Sequence, residues 1–180
     1  MKLIEDFKNY IGRWQLEREI KGKRIKRKRL PFDQMNHIGI VYNANSKENE
    51  FFVTEYANRL RSEGKKVFMM GFVDSKHLPS DRKFVLNSEF FWKEKLNGVN
   101  LPIKGAVGQF LQIEFDGLLN LYHEPLLPMQ ALAAYSKARY RVGPHIEGGL
   151  DYYDFMLDTG NRPHLTFLIE QIDFYLRNIN

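Results

Sequence analysis

A chain of 180 residues, 43% hydrophobic and 14% aromatic, is long enough for one domain with its own core, and its composition is globular rather than disordered. It holds no cysteine, which excludes disulfides, thiolate metal sites and cysteine nucleophiles and fits a reducing cytoplasm. Eleven of the 27 Lys/Arg but only four of the 22 Asp/Glu precede Pro31, so the first 30 residues carry +7 and the rest of the chain −2. The body therefore has no compositional claim on polyanions; the N-terminal segment does.

Residues 3 to 20 read as an amphipathic helix in which Leu3, Phe7, Tyr10, Ile11 and Trp14 form one apolar stripe, with Gly12 slightly against helix. The run KGKRIKRKR follows, with seven cations in nine residues: Lys21, Lys23, Arg24, Lys26, Arg27, Lys28 and Arg29. Pro31 pushes the residue before it out of the helical region. That places a boundary between an arm, residues 1–30, and a single α/β domain, residues 31–180. No apolar run approaches the roughly 18 residues of a spanning helix. The start MKLIEDFKNYIGRW, with acids and no continuous apolar stretch, does not read as a signal peptide, and none is expected. A cytoplasmic protein, at most peripheral to a membrane, is expected.

The stretch NHIGIVYNANSKE, residues 36 to 48, organises the body. Ile38, Ile40 and Val41 are the β-branched run of a strand covered on both faces. Asn43, Ala44 and Asn45 break it with turn chemistry. Asn45 with Glu48 three residues on reads as a capping box. A helix follows from about Ser46 to Glu63, with Phe52, Tyr56, Ala57 and Leu60 on one face and Gly64 as its stop. KVFMMGF, residues 66 to 72, is a second buried strand. After the polar loop 74–81, Phe84 to Leu86 suggest a short third strand, and the aromatics of SEFFW a loop or short helix pinned on the core. A helix over about 104–112 precedes a fourth strand, GLLNLY, residues 117 to 122. Pro128 suits the first turn of the next helix, MQALAAYSKA, whose small residues allow close packing. Residues 140–142 and 153–157 are the fifth and sixth strands. The last helix, about 162–179, has an unbroken stripe including Leu165, Leu168, Ile169, Ile172 and Leu176.

Strands alternating with helices predict a three-layer sandwich: a mainly parallel, doubly wound, Rossmann-like sheet of five or six strands, with the N-terminal helix added. The segments IGIVYNAN, KKVFMMGFVDS, FDGLLNLYHE, SKARYRVGP and YYDFMLD, closed by the final helix, resemble an uncharacterised bacterial family of about this length, one of the domains of unknown function. That resemblance implies the fold and no functional residues. FDGLLNL, a small-residue helix and YRVG are similar, more loosely, to the N-terminal half of glycosyltransferases such as heptosyltransferases, which implies a sugar-nucleotide site.

Ligands of open α/β sheets bind beyond the carboxyl ends of the strands. That rule points to Asn43, Asn45 and Ser46 as ligand-binding residues. Tyr122, His123 and Glu124 follow the fourth strand, His145 and Glu147 the fifth, and Asp158 and Thr159 the last. His123, Glu124 and His145 are weak candidates for acid–base work; the plain alternative is that all of these satisfy turns and caps. The turn NANS lacks the glycines of dinucleotide and P-loop motifs, no G-x-S-x-G elbow occurs, and no metal-ligand spacing is present. No cofactor or metal is expected. The basic run offers contact with an anionic polymer or membrane surface, and the Leu3, Phe7, Ile11, Trp14 face a protein partner, a second copy or a lipid interface. A solvated tail is the alternative for the run. The functions open on sequence alone are a binding or scaffold module, a small-ligand or sugar-nucleotide enzyme, and an interaction subunit docking through the first helix.

Overall fold

The computed structural model describes residues 2–21, 28–82, 86–124, 126, 127–146, 149, 152–160 and 164–178. Among the described residues six strands form one all-parallel sheet in the order β3-β2-β1-β4-β5-β6. They are β1 (His37–Asn43), β2 (Lys66–Val73), β3 (Ser88–Trp92), β4 (Gly117–Leu121), β5 (Arg141–Pro144) and β6 (Phe155–Leu157). This is the doubly wound order, with the direction of winding reversing between β1 and β4. The central strands are buried on both faces because helices cover both. In β1 residues 38 to 42 are all buried, and β4 is buried throughout. Register is set by Ile38 opposite Val67 on one side and Gly117 on the other.

Side-chain alternation along β1 divides the core in two. Ile38, Ile40 and Tyr42 pack with Val53, Tyr56 and Leu60 of α2 (Lys47–Ser62) and with Leu168, Ile169 and Ile172 of α5 (Leu165–Asn178). Val41, on the opposite face, packs with Phe110 of α3 (Gly108–Gln112) and the apolar residues of α4 (Leu127–Tyr135). Gly64, at φ +83°, ends the turn after α2.

The first helix, α1 (Lys2–Ile20), is an outer layer over α4. Residues 127 to 134 of α4 are all buried, including Gln130. A helix apolar all round needs cover on its outer side as well as on the sheet, and α1 supplies it. Leu16 is fully buried in the α4-side core. Arg13 Nη1 donates to Gln130 Oε1 at 3.0 Å, Asn100 Nδ2 donates to Asn9 Oδ1 at 2.8 Å, and Lys104 pairs with Glu19 at 2.6 Å.

Two sequence readings are corrected. The third strand is Ser88–Trp92, the stretch read as loop or short helix; Leu86 lies in an exposed turn, and Phe84 and Val85 fall outside the described residues. SEFFW becomes a strand because β2 offers an open edge: Phe91 then packs on Phe72 with ring centroids 4.9 Å apart. The N-cap of α2 is Ser46, one residue after the expected Asn45, and its Oγ accepts from Asn49 N at 3.3 Å.

Candidate functional site

The carboxyl ends of β1 and β4 meet at the reversal point, where a ligand cleft is expected. The residues after β1 are engaged within the chain. Asn43 Oδ1 accepts from Asn45 N at 3.0 Å, and Asn45 Oδ1 accepts from Asp74 N at 2.7 Å, which ties the turn to the loop after β2. Ser46 is spent on the cap. All three predicted ligand-binding side chains are thus turn and cap residues by geometry.

Arg82 closes this end further. Its guanidinium pairs with Glu50, donates to the Ala44 carbonyl and stacks over Phe90 with 5.7 Å to the ring centroid. Lys47 pairs with Asp81 at 2.7 Å beside it. Asp74, Asp81 and Arg82 thus hold the loop after β2 against the β1–α2 turn and the first turn of α2. Tyr42, beneath, is fully buried and its hydroxyl has no hydrogen-bond partner among the described residues. Burial pushes its phenol up to about 12, against a smaller opposing effect of Arg82. Sequence reasoning missed Arg82; its approach to the turn depends on how the β2–β3 connection folds back.

Past β4, Tyr122 turns into the core and shares a hydrogen bond with Tyr153, both buried, and burial holds both phenols well above the ordinary range. His123 is half-buried, with Nε2 enclosed and unpartnered among the described residues, and Glu124 is exposed. His145 is exposed after β5, its backbone N–H donating to Leu157 O at 2.8 Å. Glu147 lies outside the described residues. Asp158 Oδ1 accepts from Gly160 N at 2.8 Å in a turn of its own. The candidate acid–base residues share one end of the sheet, just past β4 and the neighbouring β5. Among the described residues no group of three His, Asp or Glu side chains is placed to hold a metal.

The basic segment lies elsewhere. Its first residue continues α1, with Lys21 N donating to Glu17 O at 3.0 Å. Its last two residues rest on the start of β5: Lys28 N donates to Arg139 O at 3.1 Å, and Arg29 stacks over Tyr140 with 5.9 Å to the ring centroid. Lys21 and Lys28 are exposed and Arg29 half-buried. Lys23, Arg24, Lys26 and Arg27 lie outside the described residues.

The helix before it presents its apolar stripe outward. Leu3 is 85% exposed, Phe7 64%, Tyr10 70% and Trp14 58%, and Ile4, not singled out from the sequence, is 63% exposed; Ile11 is half-buried at the edge of the stripe. At 100° per residue Leu3, Phe7, Tyr10 and Trp14 fall within about 60° of arc, and Gly12 lies about 180° away against the domain. The reason α1 lies this way round is Gly12 itself: a Cβ there would sit 2.2 Å from the Val99 carbonyl oxygen and 2.7 Å from a Leu127 methyl. Only that face lets the helix approach α4 and the 97–101 loop closely. No described helix is long and apolar enough to cross a membrane.

Residues 8–179 match a family of unknown function, DUF6913, and the chain belongs to it. No curated protein matches, and the likeness to heptosyltransferase halves gains no support.

Proposed function

We propose that this member of DUF6913 is a binding or scaffold module whose basic segment, Lys21–Arg29, contacts an anionic partner. The observation that carries the reading is the placement of charge: +7 before Pro31 and −2 after it. The anchoring of both ends of the segment supports it, since Lys21 continues α1 and Lys28 is bonded to Arg139. Cations tethered to a folded surface lose less entropy on meeting a polyanion than those of a free tail. A small-ligand or sugar-nucleotide enzyme at the sheet's carboxyl end is the weaker reading. Asn43, Asn45 and Ser46 are occupied there, and Arg82 covers the start of α2.

The test replaces Lys21, Lys23, Arg24, Lys26 and Arg27 with Gln in the full chain, because deleting residues 1–30 would also uncover α4. Heparin and polyuridylate are the probes, titrated at low and high salt. Binding should weaken steeply as salt rises, and the log–log salt slope should flatten by about 0.7 per lost phosphate contact on single strands. If the wild-type chain binds no polyanion at low salt, or the neutralised chain binds equally well, the reading fails.

A further inference from the structure

We infer that α1 is an interfacial anchor whose outward apolar stripe docks on an anionic lipid bilayer, with Arg18 and Lys21 at its end meeting the headgroups. The inference rests on the polyanion reading above and commits it to one partner. Leu3, Ile4, Phe7, Tyr10 and Trp14 form a contiguous exposed apolar face on a helix whose opposite side is already packed on α4. Patches of this kind mark interaction sites. The helix is about 28 Å long and lies along the surface of the domain, so it can meet a membrane lengthwise without unfolding.

The stripe continues into cations. Arg18 lies on the same side, its guanidinium 5.5 Å from the Trp14 ring centroid. Lys21, one turn further, falls back on the line of Leu3 at 100° per residue. The basic segment therefore starts on the face that carries the apolar residues. Asp6 and Glu17 flank the other edge and are exposed. This asymmetry would roll the helix toward Ile4, Ile11 and Arg18 against an anionic surface. Phe, Trp and Tyr on one face and Lys/Arg at its end are the composition of helices that lie in a bilayer interface. Each cation near an anionic leaflet adds to the attraction.

Charge complementarity separates this occupant from the others. A second copy of the chain would cover the apolar face but bring a second arm of +7 to it, so the cations would meet net positive charge. A polynucleotide would answer the cations and could stack on the rings, yet Leu3 and Ile4 would gain nothing from it. An anionic bilayer answers both features with one surface.

The experiment uses the full chain with Trp92→Phe, so that Trp14 is the sole fluorophore of its kind. The vesicles are phosphatidylcholine alone, or equimolar phosphatidylcholine and phosphatidylserine. Phosphatidylserine vesicles should co-sediment the protein and shift Trp14 emission to the blue; phosphatidylcholine alone should do neither. Phe7→Gln with Leu3→Gln, both at exposed positions, should keep the melting temperature and the heparin affinity. Each replacement should weaken binding to the phosphatidylserine vesicles by about tenfold. If heparin and vesicles both bind but Trp14 does not shift, or the double variant binds vesicles as tightly, insertion is overturned while the polyanion reading stands. Binding of polyuridylate without vesicles overturns it in favour of nucleic acid. A wild-type dimer that the double variant breaks, with no vesicle binding, assigns the face to a second copy. Failure to bind heparin, polyuridylate and vesicles alike removes the polyanion reading as well.

Discussion

Gly12→Ala inverts the effect expected of a helical glycine. In the interior of an exposed helix the change should stabilise by about 0.5–1 kcal/mol, because alanine loses less backbone entropy. Here the added methyl would lie 2.2 Å from the Val99 carbonyl oxygen and 2.7 Å from Leu127 Cδ2. The leucine methyl can rotate away, but the carbonyl is backbone, so α1 must back off its seat. Overpacking of this sort costs about 1–3 kcal/mol. Backing off also stretches the Arg13–Gln130 and Asn100–Asn9 hydrogen bonds, now 3.0 and 2.8 Å, each worth about 0.5–1.5 kcal/mol. The balance is a net loss of about 1–3 kcal/mol. With a urea slope of about 2 kcal/mol per molar the midpoint should fall by about 0.5–1.5 M. Gly108→Ala is the control, since its Cβ would meet nothing within 4 Å; its midpoint should stay or rise slightly. Urea titrations of the two variants side by side decide the matter. If Gly12→Ala raised the midpoint, α1 would not be seated on Val99 and Leu127, and the outward placement of its stripe would lose its basis.

Ile172→Ala should cost about 2–5 kcal/mol, because Ile172 is fully buried between α5 and the sheet; a denaturant loss well below 1 kcal/mol would show that the residue faces something else. Tyr122→Phe or Tyr153→Phe alone leaves the other buried hydroxyl without its partner, at about 1–3 kcal/mol, and the double change should cost less than the sum; strict additivity in a double-mutant cycle would mean that the two hydroxyls do not pair. Burial raises the phenols of Tyr42, to about 12, and of Tyr56, Tyr122 and Tyr153 above the ordinary 10.0. A raised acid favours the folded state below pH about 10 and loses that advantage as pH climbs through the folded values, because the unfolded chain ionises first. The melting temperature should therefore drop between pH 10 and 12. A phenolate absorbance titration in which all nine tyrosines ionise near pH 10 while the chain stays folded would contradict this.

Periodicity and two-sided burial are local properties, so β1, β2, β4 and α5 were legible in the sequence, and with them the parallel sheet. An apolar run flanked by turn residues has few alternatives, and the alternation of such runs with helices limits the topology to a few. The basic segment was legible too, since charge needs no fold to be counted. What tertiary structure alone decided depends on partners distant in sequence. SEFFW becomes β3 because the edge of β2 is open to it and Phe72 waits for Phe91. Asn45 ties its turn to the loop after β2 because Asp74 N reaches its Oδ1, and Arg82 closes over Ala44 through a loop whose path no local pattern records. The orientation of α1 is the largest such decision. Its apolar stripe suggests a buried face, yet α4, apolar all round, needed a cover that could come close. Gly12 allows that approach only on the opposite side, so packing spends the glycine face and leaves Leu3, Phe7, Tyr10 and Trp14 in solvent.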